Sequence, residues 1–356
     1  MNTFEVITLV LNLIFCIPSL ASLTRFDYWW IRGFDFPRVQ ISILIFVNIV
    51  LALFAYSFDE TWHLIMLGAL ILSLIYQLRL IFPYTIFAKK QVIQYTGNAK
   101  GNAISILVSN VLMTNREYHK LIGLIEEKSP DLFLTLESDK GWERALERFE
   151  KEYKYTVKVP LDNLYGMHLY SKFPLADMKV RYLIKDDIPS IHGFVKLENG
   201  HRAKIHCLHP RPPSPTESKT STNRDAEILL VGHEMEEDPK LTLVFGDLND
   251  VAWSRTTKIF QRVSGLMDPR RGRGFFNTFS TEYRFLRWPL DHVFHSDDFT
   301  LMEIARERDI GSDHFPMYIK LNYSPEKKDK QEKLSVNEEE KKWAKEKIDQ
   351  GKKHPQ

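Results

Sequence analysis

Three long apolar runs open the chain, at residues 4–23, 39–58 and 62–84. Each is close to the ~20 residues a helix needs to cross a bilayer. Glu5 and Asn12 interrupt the first, and Gln77 and Arg79 fall near the end of the third. The runs are apolar on all faces, which argues against three amphipathic core helices of a soluble domain. No basic segment precedes the first run, so a retained span is expected rather than a cleaved signal.

Beyond Lys90 the pattern changes to short apolar runs between polar turns. Residues 103–110, 131–137, 166–171, 178–184, 191–197, 203–209, 290–295, 301–305 and 316–321 predict strands. Residues 241–247 predict another, with a Gly and a polar tip at its end. Residues 116–128, 142–153, 225–237 and 256–264 have helical spacing. Strand runs with intermittent helices predict an α+β domain, sheets packed on each other and helices outside. Residues 324–356 are rich in Lys and Glu and are expected to form a solvated, disordered tail, with some helix between 337 and 348. The expected organisation is a membrane domain (1–90), a linker (91–102), a soluble domain (103–323) and the tail.

Composition refines this picture in three ways. A chain of 356 residues suggests two or three domains. Its 48 basic and 46 acidic residues leave a net charge of +2, which does not announce a polyanionic partner. Cys16 and Cys207 are too few for a disulfide framework and form no zinc pattern. The short loop after the first run carries Arg25, Arg32 and Arg38, and the segment after the third carries Lys89, Lys90 and Lys100. The loop between the second and third runs has only Asp59 and Glu60. Both basic segments share one side of a three-span topology, which predicts a cytoplasmic soluble domain. Tyr28, Trp29 and Trp30 suit an aromatic belt at the interface.

The candidate chemistry collects at the predicted strand ends. Asn110, Glu137 and His209 close strands, and Asp247 and Asn249 form the tip of Gly246-Asp247-Leu248-Asn249. Asp291 and the pair Asp313-His314 follow near the end of the domain. A carboxylate and an amide side by side can bind a metal, take a proton from water or hold an oxyanion. Equally, Asp247 and Asn249 can close the strand as an Asx turn. Each of the other residues also has an ordinary use as a turn cap, loop residue or surface group.

The order of these pieces resembles the endonuclease/exonuclease/phosphatase superfamily, the deoxyribonuclease-like enzymes, in a membrane-anchored bacterial form. The matching pieces are Ser109-Asn110-Val111, Leu134-Thr135-Leu136-Glu137, Cys207-Leu208-His209, Gly246-Asp247-Leu248-Asn249, Leu290-Asp291 and Ser312-Asp313-His314. The resemblance implies a four-layer α/β/β/α sandwich behind three transmembrane helices, with Mg²⁺ or Mn²⁺ and phosphate-ester hydrolysis. It further implies Glu137 as a metal ligand, with Asn110 fixing it and Asp313 a second possible contact. Asp247 is then the residue that orients or deprotonates water, and Asn249 holds a phosphate oxygen. His314, aligned by Asp291, stabilises charge on phosphorus, and His209 assists the leaving group. Leu112 stands where several nucleases have a further acid, which favours a single metal. Arg211 and Arg224 are candidates to hold substrate phosphate or, equally, surface cations.

Three functions fit this sequence. A nuclease is the simplest, with the segment Pro269-Arg270-Arg271-Gly272-Arg273-Gly274-Phe275-Phe276 as its basic groove, the arginines for phosphates and the aromatics for stacking. A lipid or inositol-phosphate phosphoesterase gains from tethering to the bilayer. An inactive membrane scaffold is the third. The expected partners are the lipid bilayer and a phosphate-ester substrate, in a bacterial inner membrane.

Overall fold

The computed structural model describes residues 3–57, 59–97, 101–238 and 240–353. Phe58 and Lys100, used above to bound a span and to orient it, lie outside them.

The apolar runs form helices α1 (Thr3–Leu23), α3 (Arg38–Ala55) and α4 (Thr61–Ile81), with the single turn α2 (Trp29–Arg32) between the first two. All three long helices are apolar enough to cross a membrane. A helix suits that setting because it satisfies its own backbone. The few polar side chains face one another inside the bundle: Asn12 donates to the Tyr56 hydroxyl, and Gln77 donates to Ser19 at 3.0 Å and accepts from Arg38 at 2.7 Å.

The rest of the chain builds two sheets. Its elements are β1 (Ala103–Asn110), α5 (Tyr118–Lys128), β2 (Leu132–Leu136), α6 (Lys140–Leu146), β3 (Tyr155–Val159), β4 (Met167–Ser171), β5 (Leu175–Arg181), β6 (Ser190–Lys196), β7 (Arg202–Leu208), α7 (Thr222–Glu237), β8 (Thr242–Asp247), α8 (Arg255–Ser264), β9 (Asp291–His295), β10 (Phe299–Arg306), β11 (Met317–Tyr323) and α9 (Glu338–Lys353). One sheet runs β10-β11-β1-β2-β4-β3, the other β5-β6-β7-β8-β9.

Alternation decides which side chains meet. Ile106, Val108, Leu132 and Leu134 of the first sheet bury against Ile205, Cys207, Leu243 and Phe245 of the second. Leu107 and Phe133 point the other way, onto Leu121, Leu124 and Trp142 of α5 and α6. Val244 and Phe294 likewise meet α7, α8 and α9. The result is the four-layer sandwich, each fully buried Leu, Ile or Phe contributing about 1.5–3 kcal/mol.

Three segments depart from the expectations. Strand β3 was not anticipated; it is an edge strand paired with β4 alone, and its exposed Tyr155 and polar Lys158 hide the pattern. The charged tail is not a free segment: α9 packs on α7, burying Trp343, Ala344 and Ile348 while Lys347 pairs with Asp27. Few apolar residues suffice because they share one face of a helix. In the expected linker, Val92 enters the inter-sheet core and Tyr95 donates its backbone N–H to Leu301 at 2.8 Å.

The bundle and the sandwich share packed surface. Tyr84 donates to the Ala252 carbonyl at 2.6 Å, and the Trp253 indole donates to the Asp35 carbonyl at 2.7 Å. Ile81, Tyr84, Val251, Ala252, Trp253 and Leu290 form one buried cluster, with Phe36 and Trp288 against it. The loop that follows β8 is therefore seated on the ends of the apolar helices.

Candidate active site

Topology brings the strand-end residues to one rim. β1 and β2 are parallel, with Asn110 level with Leu136, so Asn110 and Glu137 leave the first sheet at the same edge. β7 and β8 are parallel as well, with Leu208 level with Gly246, which sets His209 beside Asp247. β9 runs antiparallel, so its first residue, Asp291, lies opposite Asp247, the last of β8. β11 is antiparallel to β1, and His314 enters just ahead of it. Gly246 makes the β8 end possible: at φ +146°, a Cβ there would lie 2.0 Å from the Leu208 carbonyl oxygen. Glu137 turns inward at φ +57°, a left-handed conformation that costs a non-glycine residue roughly 1–2 kcal/mol.

Asn110 ties the two sheets together. Its amide donates to Glu137 at 2.8 Å and to Asp247 at 3.1 Å. His314 Nδ1 pairs with Asp291 at 2.8 Å, and its Nε2 lies 3.7 Å from Asp247 Oδ2. His209 Nδ1 donates to the Asp247 backbone carbonyl at 3.2 Å, and its Nε2 lies 3.9 Å from Glu137. That carbonyl is the hydrogen-bond partner of His209, for which the sequence offered no acidic one. Asn249, at φ +50°, donates its backbone N–H to Asp247 Oδ1 at 2.9 Å, and its side chain donates to the Pro210 carbonyl at 3.0 Å. The Asx turn is therefore present, and the same turn holds Asn249 at the cavity wall. The cavity, of about 370 Å³, is lined by Glu137, His209, Asp247, Asn249, Asp313 and His314, and by the apolar side chains of Phe36, Leu164, Phe279, Trp288 and Leu290.

Burial pushes the Glu137 carboxyl above its ordinary range, against the pull of His209 and Asn110. Burial raises Asp247 in the same way. Burial alone would discharge His314, but Asp291 and Asp247 outweigh it and push it up to about 10, so it stands as an imidazolium.

Four carboxylates, Glu137, Asp247, Asp291 and Asp313, thus share a site with two histidines, a donor set of hard oxygens that fits a divalent cation. Asp247, Asp291 and His314 present ligand atoms within 4.8 Å of one another. His314 as an imidazolium has no free lone pair, however, and Asp291 is engaged with it. Glu137, with Asn110 beside it, is the better-placed oxygen ligand.

Two expected substrate contacts are corrected. Arg224 is 2% exposed, bonded to Asp225 at 2.8 Å and close to Asp250 at 3.3 Å, and it donates to the Asn249 carbonyl at 2.8 Å. It braces the loop from behind and cannot reach a substrate in the cavity. Arg211 pairs with Asp187 at 2.8 Å and sits over the Tyr165 ring, outside the cavity lining. The expected basic groove is also lost: Arg270 is fully buried against Asp268 and His292, and Arg273 donates to the Val92 carbonyl at 2.6 Å. Phe36, Tyr165 and Phe279 in the cavity wall have no signature in the sequence. Trp288, three residues before Asp291, was within reach of the motif.

With this geometry the chain is placed by its sequence. It belongs to the endonuclease/exonuclease/phosphatase family, whose model matches residues 107–314. Enzymes of this family are in general hydrolytic phosphoesterases that use a divalent metal. No curated protein matches the chain. Among solved structures it is similar to a TDP2 from D. rerio humanized by 14 mutations and to D. rerio TDP2 complexed with single strand DNA product. Each is 15% identical with TM-score 0.51, covering 62% of this chain and 99% of that one. Sphingomyelinase C from Streptomyces griseocarneus is 13% identical with TM-score 0.46, covering 61% and 99%. The TDP2 likenesses show the fold.

Proposed function

We propose that the chain is a membrane-anchored hydrolase of phosphate esters that works with Mg²⁺ or Mn²⁺. The observation that carries this is the convergence of Glu137, His209, Asp247 and His314 on one cavity, with Asn110 and Asp291 hydrogen-bonded to them from behind. Glu137 would hold the cation, with Asn110 fixing its carboxylate and Asp313 a further candidate; when bound, the ion would offset charge on the phosphoryl oxygens. Asp247 orients the attacking water and takes its proton. His314, kept charged by Asp291, stabilises the negative charge that grows on phosphorus. Asn249 contacts a phosphate oxygen, and His209 assists the leaving group. An inactive scaffold is disfavoured because buried carboxylates cost stability that a dead site has no reason to bear.

A nuclease, the simplest expectation from sequence, has the single-strand DNA product of D. rerio TDP2 in its favour. Against it, no Lys or Arg lines the cavity among the described residues, and phosphate-backbone binding relies on such cations.

The metal assignment has a direct test. Glu137→Gln should shift the Mg²⁺ or Mn²⁺ needed for half-maximal turnover upward by about tenfold or more, with much of the rate regained at high metal. A wild-type metal dependence in this variant would remove Glu137 as the principal ligand.

We further place the soluble domain on the cytoplasmic side of a bacterial cell membrane, from the positions of Arg25, Arg32, Arg38, Lys89 and Lys90. A fluorescent protein fused after Gln356 should fluoresce, and alkaline phosphatase fused there should be inactive. The reverse pair of results places the domain outside.

A further inference from the structure

One wall of the catalytic cavity comes from the segment that joins the apolar helices. Phe36, which lines it, is two residues from the start of α3 at Arg38. From Phe36 an aromatic wall runs inward: the Phe36 and Trp288 rings are 5.9 Å apart, Trp288 and Phe279 6.0 Å, and Phe279 and His314 5.0 Å.

Phe279 and Trp288 also close the neck of a loop, by a backbone bridge. Its tip carries Tyr283, Phe285 and Leu286, with Phe285 87% exposed. The Gln40 side chain, in the first turn of α3, donates to the Phe285 carbonyl. The tip therefore lies level with the end of a helix apolar enough to span the bilayer. Exposed aromatic and aliphatic side chains with Arg284 and Arg287 beside them suit the headgroup and upper acyl region. In water the same tip would be an apolar liability.

We infer that the substrate is a phospholipid of the adjoining leaflet, whose phosphate enters the cavity along the Phe36–Trp288–Phe279 wall while its acyl chains stay in the bilayer. This rests on the phosphoester-hydrolase function proposed above and names its substrate class. The chemistry balances as a hydrolysis: water adds to phosphorus, one P–O ester bond breaks, and the proton lost by water equals the one gained by the departing alkoxide. The products are a phosphomonoester and an alcohol, one of which keeps the acyl chains. The apolar wall and the absence of Lys or Arg from the lining suit a single headgroup phosphate better than a polyanion.

The test uses the full chain reconstituted with Mg²⁺ in vesicles of phosphatidylglycerol, phosphatidylethanolamine and phosphatidylcholine. Soluble bis(p-nitrophenyl) phosphate and a DNA oligonucleotide serve as parallel substrates. Either headgroup phosphate should leave the vesicles with a lipid alcohol kept in the bilayer, or headgroup alcohol should leave with a lipid phosphomonoester kept there. Phe285→Asp, outside the cavity, should slow lipid turnover at least about tenfold and change turnover of the soluble diester less than about twofold. Phe285→Trp should keep lipid turnover near wild type. Turnover of the soluble diester or of DNA without any lipid product would overturn the substrate class and leave the hydrolase function standing. Equal loss on both substrates in Phe285→Asp would overturn the entry route. No turnover of any substrate would sink the hydrolase function itself, and this inference with it.

Discussion

Asp247→Asn should lower phosphodiester turnover by about 10²–10⁴-fold, the usual contribution of a positioned general base. The substitution keeps volume and removes the charge. It is not silent structurally, because both carboxylate oxygens of Asp247 are in use: Oδ1 accepts from the Asn249 backbone and Oδ2 from Asn110. An amide can satisfy only one of these donors, so stability should fall by about 1–3 kcal/mol. Circular dichroism and thermal unfolding separate the two effects. A folded Asp247→Asn protein with near wild-type turnover would remove Asp247 from the chemistry.

His314→Ala should cost about 10²–10³-fold in turnover, the scale of one lost charge-stabilising donor. It should also cost stability, because Asp291 is fully buried and its Oδ2 would lose its imidazolium partner. Breaking a buried pair from one side costs about 3–5 kcal/mol. The double variant His314→Ala/Asp291→Asn removes the stranded charge. It should recover much of the unfolding midpoint and none of the turnover. Recovery of both would mean that the pair serves the fold alone.

The sequence exposed the site more clearly than its surroundings, for a physical reason. Strands of a two-sheet core are short apolar runs, so a polar residue at the end of each is visible in one dimension. Asn110, Glu137, His209 and Asp247 were legible in that way; β pairing carries each pair to the edge of its own sheet, and the packing of the two sheets brings the edges together. Arg224 was not legible. Its partner Asp250 lies on another element, and nothing local distinguishes a buried, paired arginine from a free one. Arg270 was misread although its partner Asp268 is two residues away, because its burial against His292 of β9 is a tertiary fact. The α9 segment looked disordered because its buried face is only a few residues wide and is completed by α7. Asn249 stands where the backbone leaves the strand in a left-handed turn, a conformation the residue spacing does not reveal. The place of Phe36 in the cavity wall depends on how the helix ends dock on the loop after β8. That is a tertiary fact with no signature in the first 90 residues.

Metal-dependent hydrolysis by the intact chain is the decisive property. The purified full-length protein, held in vesicles, is assayed on bis(p-nitrophenyl) phosphate before EDTA, in EDTA, and after Mg²⁺ or Mn²⁺ is returned in excess. The expected result is turnover that falls to background in EDTA and recovers with the divalent ion. Full turnover in EDTA would mean that the site hydrolyses phosphate esters without a divalent ion.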